Sequence, residues 1–189
     1  MATTVEPAEF SYVEFDAGRI AELADELAAA IGLDADIRIE VDETSALGHT
    51  ELTSVDPVVI NTESGALEDP RRIRKLSEPH TIDVLGRHLL RAADRRRPDF
   101  GEPPLDEDLP LAHRVAWEIH TVGRLAGKGY PANRQRWLYS FRNRHGFTDV
   151  ADAAFETLWS SDSMTWAEIV DLSDRTAAQN PGKLDRKPA

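Results

Sequence analysis

Apolar residues recur at helical spacing directly after Asp16. Six of them share one helical face, namely Ile20, Leu23, Ala24, Leu27, Ala28 and Ile31. Asp16 is a favourable N-cap residue, and Gly32 is typical of a helix C-terminus. The pattern therefore predicts an amphipathic helix over residues 17–31.

Shorter apolar patterns on either side of this helix predict strands. Residues 10–15 alternate and predict an edge strand, preceded by a mobile start at residues 1–9. Residues 37–41 alternate between aliphatic and charged side chains, which is typical of a half-buried strand. Residues 57–60 form a short apolar run that predicts an inner strand.

The middle of the chain predicts helices and then a break. Asp69 followed by Pro70 favours the start of a helix. A longer helical pattern follows Ser77 and ends near Arg97, where cations suit the negative end of the helix dipole. Residues 98–110 contain four prolines and form the predicted hinge.

Beyond this hinge the chain predicts helices only. Their ranges are residues 111–126, 132–145, 149–159 and 166–177, and Thr165 with Glu168 forms a capping box before the last one. The expected fold class is α+β: a small sheet with a packed helix, in an α-β-β-α unit, followed by an all-helical C-terminal half of about four helices. We expect a single compact domain over residues 1–189. Its parts are the α/β unit at 10–97, the hinge at 98–110, the helical cap at 111–178 and a polar tail at 179–189.

Composition narrows the function classes. The chain has no cysteine, which excludes disulfides, thiolate metal sites and a cysteine nucleophile. No secretory signal or membrane-spanning segment is visible in the sequence, so we expect a soluble, cytoplasmic protein. The net charge of −12 is uneven, with −15 over residues 1–69 and +7 over residues 70–147. This favours internal charge complementarity, with binding of an external polyanion as the alternative.

Catalytic and cofactor motifs are absent. Neither a phosphate-binding glycine loop nor a GxSxG nucleophile motif occurs. The six histidines lack the three- or four-residue helical spacing of a zinc site, since His113 and His120 are seven residues apart. The sequence therefore predicts neither a metal nor a cofactor.

The order helix, strand, strand, helix over residues 17–97 resembles that of small zincin-like metallopeptidases. Matching Val84 and Leu85 to the apolar pair before that family's HExxH motif aligns Gly86, Arg87 and Leu90 with its first His, its Glu and its second His. None of these three residues can supply the chemistry of the motif. The resemblance therefore implies a zincin-like fold without its catalytic apparatus.

The helix predicted at residues 111–126 carries two distinct faces. Opposite its apolar face stand His113, Trp117, His120 and Arg124. Trp and Arg are frequent anchors at interfaces, so these four residues are the candidate partner-binding surface. The alternative interpretation is a central helix buried on both sides, with its histidines hydrogen-bonded.

The next predicted helix interleaves arginines with aromatic residues. Arg134, Arg136, Tyr139 and Arg142 are its candidate anion-binding residues. A solvated basic face is the alternative. The basic runs at residues 71–75 and 91–97 are expected to pair with nearby acids such as Glu68, Asp69 and Asp94, with the clamping of an external anion as the alternative.

These observations favour a non-enzymatic binding or adaptor protein that uses the face of His113, Trp117, His120 and Arg124 to bind a protein partner or a second copy of itself. The alternative is a hydrolase with a site between the α/β unit and the helical cap, with His88 or His120 as general base. Weak nucleic-acid binding through residues 134–144 is a further alternative, disfavoured by the net charge.

Overall fold

The computed structural model describes residues 2–179, so most of the tail expected at 179–189 lies outside the described residues. The chain forms two units. The α/β unit comprises the chain up to Arg96 together with Leu105–Glu107, and the helical unit comprises Arg97–Pro104 and the chain from Asp108 onward. The fold class is α+β, with a mixed sheet and helices in the first unit and four helices in the second.

In the α/β unit the elements are β1 (Thr3–Glu6), α1 (Ala17–Ile31), β2 (Ile37–Asp42), β3 (Thr50–Val55), β4 (Val58–Glu63), β5 (Glu68–Asp69), β6 (Arg72–Leu76) and α2 (Glu78–Arg96). In the helical unit they are α3 (Leu111–Gly127), α4 (Arg134–His145), α5 (Asp149–Ser160) and α6 (Trp166–Ala178). Short 3-10 turns occur at Ser64–Ala66 and Asp106–Asp108.

The main sheet has the strand order β1-β2-β4-β3. The first three of these strands are parallel, and β3 runs antiparallel to β4 at the edge. Val5, Ile39, Ile60 and Leu52 are neighbours in register, and all four are buried. The helices α1 and α2 touch each other as well as the sheet, so both cover this apolar face. The opposite face bears the polar residues of the alternating pattern.

The first residues of the chain differ from the prediction. The predicted mobile start at residues 1–9 contains β1, whose Thr3 pairs with Ile37 of β2. The predicted edge strand at residues 10–15 is wrong, because only Glu14 forms a bridge, to Lys75. The rings of Phe10 and Phe15 pack against each other, with centroids 5.5 Å apart. The alternation therefore reflects a local aromatic contact in a loop.

The helix start predicted at Asp69 and Pro70 is also wrong. These residues lead into the turn of the hairpin formed by β5 and β6. The Asp69 carboxylate accepts hydrogen bonds from the Arg71 backbone N–H and from Arg72 Nε, both at 2.9 Å. Asp69 satisfies turn donors here, as an aspartate can at a helix N-cap, so the local sequence signal was ambiguous.

The helix boundaries follow the sequence pattern closely. Asp16 caps α1 by accepting from the Arg19 N–H, and Gly32 ends the helix in the left-handed conformation. The capping box predicted before α6 is confirmed. Among residues 2–179, we find no helix with the length and apolar character needed to cross a membrane.

The core of the helical unit is aromatic. Trp117, Phe141 and Phe155 are fully buried in it, and Trp166 packs against Trp117 with ring centroids 5.3 Å apart. The axes of α3 and α5 come together at Gly123, where an added Cβ atom would overlap the backbone of Trp159. Only glycine permits this approach.

Candidate functional site

The structure places the α3 face of His113, Trp117, His120 and Arg124 largely inside the helical unit. Trp117 is fully buried between Phe100 and Trp166. His120 is also fully buried, and its Nδ1 hydrogen-bonds the Leu158 carbonyl at 3.2 Å. Partner binding by this face stays a prediction, although Trp117 and His120, in the middle of the face, are buried inside the helical unit.

The two ends of the same face reach solvent. His113 is mostly covered, and its Nε2 lies 2.7 Å from an Asp174 oxygen. Arg124 is partly buried near the C-terminal end of α3. A buried Trp and a buried His thus lie between the two polar ends of the face. The two ends therefore do not form a continuous exposed patch.

The four candidate anion-binding residues of α4 fall into two groups. Arg134 pairs with Glu156, and two nitrogens of Arg142 donate hydrogen bonds to the two carboxylate oxygens of Asp152. Both acids lie on α5. Arg136 and Tyr139 are exposed on the other side of α4. Only this second pair keeps its polar atoms open to an external ligand.

The basic runs are paired with acids, as the sequence indicated. Arg72 pairs with Asp69, and Lys75 lies 3.0 Å from Glu14. At the end of α2, Arg96 pairs with Asp56. Most of the positive charge in the middle of the chain is therefore neutralised within the protein.

His88, the first candidate general base, is buried on α2. Its Nδ1 hydrogen-bonds the Val84 carbonyl at 2.8 Å. Burial, together with the positive charges of Arg87 and Arg91, lowers the pKa of His88 to about 3. A base with so low a pKa holds a proton weakly near neutral pH, which is unfavourable for general-base catalysis.

The α2 positions that align with the zincin motif carry structural side chains. Gly86 and Leu90 are buried, and Arg87 pairs with Asp83 one turn earlier at 3.4 Å. Among residues 2–179, no group of three or more His, Asp or Glu side chains is arranged to hold a metal ion. The hydrolase alternative has no site geometry at these positions.

One carboxylate in the predicted hinge, that of Asp106, is buried. Asp106 accepts hydrogen bonds from Arg91 at 2.5 Å, from Arg95 at 3.2 Å and from the Leu52 backbone N–H at 3.0 Å. Burial lowers the pKa of Arg95, and the nearby Asp106 carboxylate opposes this shift. Asp106 therefore fastens residues 105–107 to α2 and β3 within the α/β unit.

The most distinctive polar feature is a row of side chains across the main sheet. Glu6 of β1 is in register with Glu40 of β2, Glu40 with Asn61 of β4, and Asn61 with Glu51 of β3. Residues in register project from the same side of a sheet, and adjacent strands lie about 4.8 Å apart. The four side chains, hereafter the acid row, therefore span about 14 Å on the face opposite the helices.

A second pair of acids lies beside the acid row on the same face. Asp42 and Glu63 are in register with each other, two residues beyond Glu40 and Asn61. The three parallel strands β1, β2 and β4 all end in an acidic residue of this group. In open sheets, ligand sites commonly lie at the carboxyl ends of parallel strands.

The acid row and the second pair line a cavity of about 560 Å³ that also includes Pro7, Val41, His49 and Thr62. This volume is in the range of small-molecule sites. The Oδ1 atom of Asn61 is buried and has no hydrogen-bond partner within residues 2–179. An unsatisfied buried oxygen is costly, and a donor from a bound ligand would satisfy it.

Cations near this cavity are few. Arg38 pairs with Glu40 at 3.0 Å, and the exposed ring of His49 lies 3.5 Å from Glu51. Within the described part of the chain, Glu6 has no ion pair or side-chain hydrogen bond. Hydrogen bonds from Thr44 lower the pKa of Asp42, so this carboxylate stays ionised at neutral pH. The cavity is therefore strongly electronegative.

Sequence reasoning missed the acid row for a specific reason. Alternation in residues 37–42 identifies Glu40 as a residue of the polar face, but β1 and β3 were not predicted. Without those strands and their register, Glu6 and Glu51 are two of 34 acidic residues. The one available local signal was that the strand pattern at residues 37–41 is followed directly by an acid, Asp42.

Comparison with known proteins identifies no relative. No family model matches the chain, and no significant match is found among curated proteins or solved structures.

Proposed function

We propose that this protein is a binding protein whose α/β unit holds an extended organic ligand with two or more positively charged amino groups. The observation that carries the proposal is the acid row, in which carboxylates from three strands face one cavity. Like charges directly opposite on neighbouring strands destabilise a sheet. Such an arrangement is typical of a site that a ligand completes.

The charge of the α/β unit supports a cationic ligand. This unit contains 22 acidic and 10 basic residues, whereas the helical unit contains 12 of each. The whole net charge of −12 therefore belongs to the unit that has the cavity. A field of this sign attracts cations and repels phosphates and carboxylates.

The spacing of the carboxylates supports a linear ligand. Neighbouring strands lie about 4.8 Å apart, so the row from Glu6 to Glu51 spans about 14 Å, whereas two oxygens bound to one metal ion lie at most about 5 Å apart. A chain with amino groups several methylenes apart can contact Glu6, Glu40 and Glu51 in turn. The Asn61 Oδ1 atom would accept a hydrogen bond from an ammonium group between them.

The test is isothermal titration calorimetry of the full chain with spermidine and, separately, with a short Lys-Ser-Lys peptide. The two probes distinguish a polyamine from a basic peptide segment. The isosteric variant E6Q/E51Q should bind about tenfold more weakly, because two exposed charge pairs together contribute roughly 1–2 kcal/mol. Spermidine acetylated on both primary amines, which lacks its two terminal charges, should bind more weakly to the wild-type chain.

Asp34→Asn is the matched control. Asp34 is exposed in the loop before β2, at the end of the sheet opposite the acid row. The D34N substitution removes one negative charge, half the change in E6Q/E51Q, and we expect less than a twofold change in affinity. Absence of binding by both probes, or equal loss in D34N and E6Q/E51Q, would refute a site at the acid row.

A further inference from the structure

The outer face of α4 is a second candidate site, in the helical unit. Its inner face is packed, since Leu138, Phe141 and His145 are buried. At 100° per residue, Arg136, Tyr139, Asn143 and Arg144 occupy the opposite side within about 140° of arc. All four are exposed.

Two aromatic rings are exposed side by side at this face. Tyr139 is 61% exposed and Phe147 is 62% exposed, and their ring centroids lie 5.8 Å apart in an edge-to-face arrangement. Gly146, with a φ of 104°, forms the turn that precedes Phe147. We name Arg136, Tyr139, Arg144 and Phe147 the aromatic–arginine patch.

The two arginines of the patch differ from their neighbours on the same helix. Arg134 and Arg142 pair with acids of α5. In contrast, the guanidinium groups of Arg136 and Arg144 have no ion pair or hydrogen bond within residues 2–179. The patch therefore offers two exposed rings and two uncompensated positive charges.

We infer that the aromatic–arginine patch docks an acidic segment of a partner protein that also carries an aromatic or aliphatic residue. The two arginines complement carboxylates of the segment, and the apolar residue covers the exposed rings. Aromatic residues and arginine are the residue types enriched at protein interfaces.

A single-stranded nucleic acid would also stack on exposed rings, but the charges favour a peptide. Nucleic-acid affinity grows with the number of phosphates that cations neutralise. The patch has only two such arginines, and the chain as a whole carries −12. A segment with a few carboxylates meets much less of this repulsion than a polyphosphate does, and the helical unit that bears the patch has equal numbers of acidic and basic residues, 12 of each.

The experiment is a peptide array probed with the fluorescently labelled full chain. The array presents acidic peptides with one Phe or Leu anchor at varied positions, the same peptides with the anchor replaced by Ser, and basic peptides. We expect binding only to acidic peptides with an anchor. Fluorescence anisotropy with the strongest of them then gives affinities for the variants.

Arg136→Glu and Arg144→Glu should each weaken binding about fivefold, because each reverses an exposed charge pair. Phe147→Ser should weaken it about tenfold through lost apolar contact. Tyr139→Phe, which keeps the ring, should bind within twofold of the wild type, whereas Tyr139→Ser should not.

Arg71→Glu is the control for net charge. Arg71 is exposed in the α/β unit, outside the patch, and its substitution changes the chain charge by the same amount. Circular dichroism verifies the fold of each variant. Three results would overturn the inference: no array binding, equal losses in R71E and R136E, or stronger patch-dependent binding to oligo-dT or to a second copy of the chain.

Discussion

Asp106 provides the sharpest test of how the α/β unit is held together. This carboxylate is 6% exposed and accepts from Arg91, which is 2% exposed, from Arg95 and from the Leu52 N–H. Asp106→Ala removes the carboxylate but leaves the two arginines and the amide in the same surroundings. Removing one partner of a buried ion pair costs about 3–5 kcal/mol.

A loss of about 3–5 kcal/mol is large relative to the free energy of unfolding of a domain of this size, which is about 5–15 kcal/mol. With a urea m-value of about 2 kcal/mol/M, the unfolding midpoint should fall by roughly 2 M. All four tryptophans lie in the helical unit, so their fluorescence follows that unit, whereas circular dichroism detects the unfolding of both units. Hydrogen exchange gives a local measurement, because the Leu52 amide should exchange faster in the variant.

Asp108→Ala is the matched control, since Asp108 is an exposed acid two residues away. We expect its free energy of unfolding to stay within about 0.5 kcal/mol of the wild type. If D106A were as stable as D108A and the Leu52 amide exchanged at the wild-type rate, the buried ion pair would not hold residues 105–107. The reasoning from burial to stability would then be refuted.

Two further predictions concern the cores of the two units. Burial lowers the pKa of His88 to about 3, below its ordinary value of 6.5, so the folded state disfavours its protonation. The neutral His88 imidazole therefore contributes fully to the free energy of unfolding above pH 6.5. As the pH falls from 6.5 toward 3, this contribution is lost at roughly 1.4 kcal/mol per pH unit. Urea unfolding at pH 6.5 and 5.0 should show a smaller pH dependence for His88→Gln, and parallel pH profiles would contradict the assignment. In the helical unit, Gly123→Ala should destabilise because its Cβ would overlap the Trp159 backbone. Gly127→Ala on the same helix meets no neighbour and should stabilise by about 0.5–1 kcal/mol. Tryptophan fluorescence during urea unfolding measures the free energy of unfolding of both variants. If it changed in the same direction in the two variants, α3 and α5 would not approach each other at Gly123.

The sequence by itself determined the elements whose signals are local. The α1 cap at Asp16, the end at Gly32 and the capping box before α6 follow from residues within one helical turn. The four C-terminal helices were predictable for the same reason, because an amphipathic period is visible within each segment. The α+β class followed from these elements together.

Only the tertiary structure decided which polar residues meet. Trp117 and His120 are buried because α5, α6 and the loop at Phe100 cover a helix face whose polar composition suggested exposure. β1 was hidden in a short polar segment, since a four-residue strand gains its stability from pairing with β2. The acid row depends on the register of four strands, which is set by pairing across long stretches of chain. Local sequence carries no record of that pairing, so the candidate site became visible only in the folded sheet.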